Sequence, residues 1–128
     1  MSKLVFIKSL HLEYRLWIAE LNFDINLIRI FNDRLIEIAD ENKTPEILAD
    51  IENFENQLNH KRENIDSLRH RMHIEKMNLA AIARENTKPG FQIATPENYS
   101  AIRSDFFKFR VLFDELKDQF LHFEDSSS

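Results

Sequence analysis

Apolar residues recur along this chain at alternating spacings of three and four, over stretches much longer than a strand. The first run holds Ile7, Leu10, Tyr14, Trp17, Leu21, Ile28, Phe31, Leu35 and Ile38. The second holds Ile47, Ile51, Phe54, Leu58, Ile65, Leu68, Met72, Leu79 and Ile82. The third is the most regular: Tyr99, Ile102, Phe106, Phe109, Phe113, Leu116, Phe120 and Phe123. This spacing keeps one stripe of a 3.6-residue helix turned toward its neighbours, so three long amphipathic helices are predicted.

The stretches between the runs carry helix punctuation. KTPEILADI and ATPENYSAI share one signature: a threonine able to cap, a proline at the first helical position and a glutamate at the positive helix end. They predict helix starts at Thr44 and Thr95. ENTKPG ends the second run, because Pro89 and Gly90 stop a helix. The predicted helices therefore span about 3–41, 45–84 and 96–123. They form one domain over 1–124, followed by a frayed tail at 125–128. Short connections favour an all-α, antiparallel three-helix bundle.

At 1.5 Å per residue the first two helices would each reach about 60 Å and the third only about 43 Å. The third begins beside the base of the hairpin, so its end leaves the hairpin tip uncovered, around Phe31, Leu35, Ile38, Ile47 and Ile51. The first helix also carries a second apolar row, Leu16, Phe23, Leu27 and Ile30, which widens its apolar arc to roughly 200°. Apolar surface in excess of what a bundle needs points to a protein partner or a second copy, and a two-fold dimer would close the tip into a four-helix arrangement.

Composition narrows the function classes. The 128 residues are 43% hydrophobic and 30% charged, with a formal net charge of −5, one glycine, three prolines and no cysteine. So few turn residues exclude sandwiches, barrels and doubly wound sheets. Negative charge argues against nucleic acid or anionic lipid as a general partner. The lack of cysteine removes disulfides, thiolate catalysis and cysteine metal sites, and fits a cytoplasmic protein. Only four apolar residues in a row, Leu4 to Ile7, precede Lys8, too few for a signal-peptide core, and no segment approaches a membrane span.

Candidate chemistry is sparse. In RHRMHIEKM, residues 69–77, Asp66, His70 and His73 share one helix face at metal-ligand spacing, with Met77 in line. Zinc, copper or nickel would suit them. The plainer reading is a solvated face, since one exposed helix offers neither a closed geometry nor supporting groups. No Glu-x-x-His occurs, which argues against a ferritin-like di-iron centre.

Polar residues interrupt the seams at Asp24, Lys61 and Glu75. A hairpin folding near residue 43 would set Asp24 against Lys61 and His11 against Glu75. Such pairs read as register-fixing ion pairs before catalytic ones. Glu13 and Glu20, flanking Trp17, read as interhelical salt-bridge formers with Arg69, Lys76, Arg103 or Arg110. The basic stretch HKRENIDSLRHRMHIEK spreads its positive charges around the helix without interleaved aromatics, unlike a nucleic-acid surface. No glycine-rich phosphate loop or nucleophile elbow is present, so neither an enzyme nor a cofactor is expected.

LWIAELNFDINLIRIFNDRLIEI, ENQLNHKRENIDSLRHRMHIEKMNL and FFKFRVLFDELKDQFLHF together resemble a group of short, uncharacterised bacterial all-helical proteins. Leu-Trp-x-x-Glu-Leu-x-Phe at residues 16–23 is the least generic part of the likeness. The resemblance covers most of the chain and implies a cytosolic helical bundle with no defined activity. The expectation is a non-enzymatic bundle acting through protein–protein contact or self-association, with a metal-binding bundle as the alternative.

Overall fold

A computed structural model describes residues 3–127. A short strand β1 (Leu4–Phe6) leads into helix α1 (Ile7–Glu41), followed by α2 (Pro45–Glu85), strand β2 (Gln92–Ala94) and α3 (Glu97–Ser127). The architecture is all-α: α1 and α2 form a long hairpin, and α3 lies along both. Every seam residue from Phe106 to Phe123, and most of those on α1 and α2, fall in one continuous core.

The hairpin turn forms as its sequence dictates. The Asn42 N–H donates to the carbonyl of Ile38, and Thr44 then accepts the Ile47 N–H at 3.4 Å as N-cap, with Pro45 at the start of α2 and Glu46 in its first turn. Thr95 behaves differently from expectation. Its N–H and its hydroxyl both donate to the Lys3 carbonyl, at 2.9 Å and 2.7 Å, so it ties the two strands together instead of capping α3.

The strands are the second departure, since the first helix was expected to begin near residue 3. Instead β1 pairs antiparallel with β2, Val5 opposite Ile93. Val5 and Ile93 turn inward while Leu4, Phe6, Gln92 and Ala94 face out, the alternation of a half-buried ribbon. Three residues are too few to show a period of two in sequence. Gly90 makes the turn into β2 with φ +77°, and nothing lies within 4 Å of a Cβ placed there. Gly90→Ala therefore meets only the backbone penalty of the left-handed region, and it should lower stability by about 1 kcal/mol in a urea titration.

The ribbon also changes the tip. It occupies the base of the bundle, so α3 begins higher: Tyr99 reaches Glu13, Arg110 reaches Asp24, and Glu124 reaches Arg34. Helix α3 also runs on through Asp125, Ser126 and Ser127, where a frayed tail was expected; residue 128 lies outside the described residues. Phe120 and Phe123 consequently arrive at the hairpin end. The Phe120 ring sits 4.6 Å from Phe31, and Phe120 and Phe123 pack on Phe54, at 5.4 Å and 5.0 Å. Leu35, Ile38 and Ile51 are buried and Ile47 is half-buried. The expected bare tip is thus roofed within one copy, and Leu35, Ile38 and Ile51 are core, not a partner surface.

Candidate interaction surface

The polar residues that interrupt the seams find partners on α3. Asp24 is wholly buried and accepts from Arg110, whose Nε also lies 3.9 Å from Glu20. Glu75 accepts from the Asn98 side chain at 3.0 Å. The expected pairs, Asp24 with Lys61 and His11 with Glu75, do not form; Lys61 is half-buried and in no ion pair among the described residues. Pairing by hairpin register considers two helices only, and the third supplies both partners. Burial raises the Asp24 carboxyl above its ordinary value and the Arg110 guanidinium opposes that rise. One Asp24 oxygen has no hydrogen-bond partner.

A cluster of aromatic rings binds α3 to α1. Trp17 stacks on Phe106 at 5.1 Å and on Tyr99 at 5.9 Å, with Tyr14 edge-on at 5.7 Å. The Tyr99 hydroxyl donates to Glu13; burial and that carboxylate push its ionisation up to about 12. Glu13 and Glu20, expected to join α1 to a neighbouring helix, do so through Tyr99 and Arg110.

The outer side of α1 is different. Opposite the Tyr14–Leu21–Ile28 seam, the helix presents Leu12, Leu16, Phe23 and Ile30, which are 51%, 56%, 61% and 59% exposed. Leu27 and Phe31 border this stripe, half-buried beside α3. Of the residues expected to meet a partner, Leu16, Phe23 and Ile30 therefore remain available, Leu27, Phe31 and Ile47 partly so, and Leu35, Ile38 and Ile51 not at all. The stripe follows a helix that is 35 residues long, continuous and without proline. Comparison with protein-family models, curated proteins and solved structures gives no match.

On α2, Asp66, His70 and His73 are exposed as expected, but they do not assemble into a site. The Asp66 carboxylate is held by Arg69 at 3.0 Å and Arg62 at 3.4 Å. Among the described residues no group of three histidine, aspartate or glutamate side chains is placed to hold a metal ion. Within the basic stretch around them Arg69 also donates to Asn22 at 2.8 Å, and Arg71 pairs with Asp105 at 2.7 Å. Among the described residues no helix is long and apolar enough to cross a membrane.

Proposed function

We propose that this chain is a non-enzymatic, cytoplasmic helical-bundle protein that acts through protein–protein contact, and that its partner on the outer face of α1 is a second copy of itself. One observation carries this reading: Leu16, Phe23 and Ile30 recur every seven residues on the outward face of a long unbroken helix whose inward face is already filled. A seven-residue apolar repeat is the seam of a coiled coil, and Ala19 and Asn26 fall at the positions between these three.

Charge at the borders of the stripe favours a parallel pair. Arg15 lies just before Leu16, and Glu20 lies on the other border five residues later. That is the spacing at which flanking residues of parallel helices meet across a seam. An antiparallel pair would instead set Arg15 and Arg29 on one edge and Glu13 and Glu20 on the other, like against like. Burying a Leu, Phe or Ile contributes roughly 1.5–3 kcal/mol, and a two-fold axis repeats each contact. The resemblance to short bacterial all-helical proteins adds a bundle and no activity, in keeping with a scaffold or adaptor role.

The test is sedimentation equilibrium of the chain beside Phe23→Glu. Phe23 is exposed, so the variant should keep its helicity and its stability to within about 0.5 kcal/mol. The unaltered chain should sediment as a dimer and the variant as a monomer. A monomer at high micromolar concentration for the unaltered chain, or a dimer that survives Phe23→Glu, contradicts the reading.

A further inference from the structure

At the base of the bundle two adjoining cavities open between the start of α1 and the end of α2. One, of about 570 Å³, is lined by Phe6, Lys8, Ser9, Thr87, Lys88 and Phe91 among others. The other, of about 420 Å³, is lined by His11, Leu12, Arg15, Leu79 and Arg84, and both share Ile7, Lys8 and Ala83. Each lies within the size range of small-molecule pockets. The floor is apolar, with Ile7 and Leu79 buried and Phe6 and Leu12 half open to solvent.

The charge around this groove is one-sided. Lys8, Arg15, Arg84 and Lys88 line it, with His11, and no aspartate or glutamate does, in a chain whose net charge is −5. Of the other thirteen lysines and arginines, six, Arg34, Arg62, Arg69, Arg71, Arg110 and Lys117, sit in ion pairs. Among the described residues none of the four groove cations does. Arg84 answers the negative end of α2, since it lies in that helix's last turn. Lys8 has no such reason. It sits in the first turn of α1, at the positive helix end, where Phe6 provides no side-chain cap and no acidic residue follows. A lysine there adds positive charge to backbone N–H groups that already seek an acceptor.

We infer that the base groove between α1 and α2 binds a small amphiphilic anion: one carboxylate held among Lys8, Arg84 and the first turn of α1, with a medium-length hydrocarbon chain along Ile7, Leu12, Leu79 and Ala83. The apolar floor selects the chain and the matched charge selects the head group. From Ile7 to Arg15 the floor follows α1 for about 12 Å, which suits a chain of that kind and not a short polar acid.

Decanoate is the probe, titrated into the full chain below its micelle concentration and followed by amide chemical shifts. Decanol and decyltrimethylammonium serve as uncharged and cationic comparisons. Saturable shifts are expected at Lys8, His11 and Ala83. Lys8→Glu with Arg84→Glu should weaken decanoate by more than about tenfold, while Lys43→Glu with Lys108→Glu, equal in net charge, leaves it within about twofold. Decanol and the cation should bind at least about tenfold more weakly than decanoate. All these positions but His11 are exposed, and a circular-dichroism melt verifies the fold; Lys8→Gln with Arg84→Gln repeats the test with a smaller charge change. Decanoate that binds no better than decanol, or is indifferent to both changes at Lys8 and Arg84, overturns the inference. So does binding seen only on anionic phosphatidylglycerol vesicles, which would make this end of the bundle a membrane-surface contact instead.

Discussion

Removing the guanidinium partner of Asp24 is expected to destabilise the chain far more than removing the carboxylate. In Arg110→Met the buried Asp24 is left without its guanidinium, and a broken buried pair costs about 3–5 kcal/mol at neutral pH. Asp24→Asn takes the charge out of the core while the Arg110 head group stays partly solvated, so its effect should remain within about 1 kcal/mol. The double variant should then recover most of the loss, because the two side chains act as one unit.

The pH dependence of this pair has a definite sign. Burial raises the Asp24 carboxyl in the folded chain, so the folded state holds the proton more tightly than the unfolded one. The stabilisation from that protonation is complete below the unfolded value of about 3.9 and is lost as pH rises through the folded value. Without Arg110 the folded value rises further. The deficit of Arg110→Met relative to the unaltered chain should accordingly be small near pH 3 and grow toward neutrality, as read from urea midpoints across that range. A deficit that is constant with pH would mean that lost packing, and not the uncompensated carboxylate, causes it.

The other large effect is expected at Phe113. Its ring is wholly buried and stacks on Phe109 at 5.5 Å, with the Lys117 ammonium 5.3 Å above it. Phe113→Ala removes the apolar burial and leaves a cavity that rigid helices cannot collapse, for a loss of about 3–5 kcal/mol. In a domain of this size that is a fall in Tm of roughly 10–20 °C. Phe113→Leu keeps most of the volume and should cost less than half as much. Val111→Ala, on the opposite face of α3 and exposed, should change Tm very little. Equal effects at 111 and 113 would mean that the inward face of α3 has been misassigned.

The inward faces were legible in the sequence because helices announce their buried side by period, and Phe106, Phe109, Phe113 and Phe120 could face only one way. The Thr44–Pro45–Glu46 start was legible for the same reason: each residue does locally what its chemistry favours. Thr95–Pro96–Glu97 reads identically, yet Thr95 bonds to Lys3, ninety-two residues away, a partner that no local rule contains. The β1–β2 ribbon was missed because three residues carry no period, and missing it set the start of α3 at the base of the hairpin, whereas Tyr99 reaches Glu13. From that single error came the bare tip, and with it the assignment of Leu35, Ile38 and Ile51 to a partner surface. The second apolar row of α1 was independent of the error, and Leu16, Phe23 and Ile30 stand exposed. Asp24 was recognised as a buried charge, but its partner lay on the helix that the hairpin register left out. The basic groove at the base escaped notice because Lys8, Arg15, Arg84 and Lys88 lie in two runs seventy residues apart, brought together only by the hairpin.

The absence of cysteine allows the association surface to be probed by a single introduced thiol. Ala19 is exposed on the outer face of α1, between Leu16 and Phe23, and Asn53 is exposed on α2 away from that face. In a parallel two-fold pair the two copies of residue 19 adjoin across the seam. Ala19→Cys should then oxidise to a disulfide-linked dimer more than about a hundredfold faster than Asn53→Cys at the same micromolar concentration, because pairing raises the effective thiol concentration to the millimolar range. Equal and slow oxidation at both positions would contradict a seam between copies along α1.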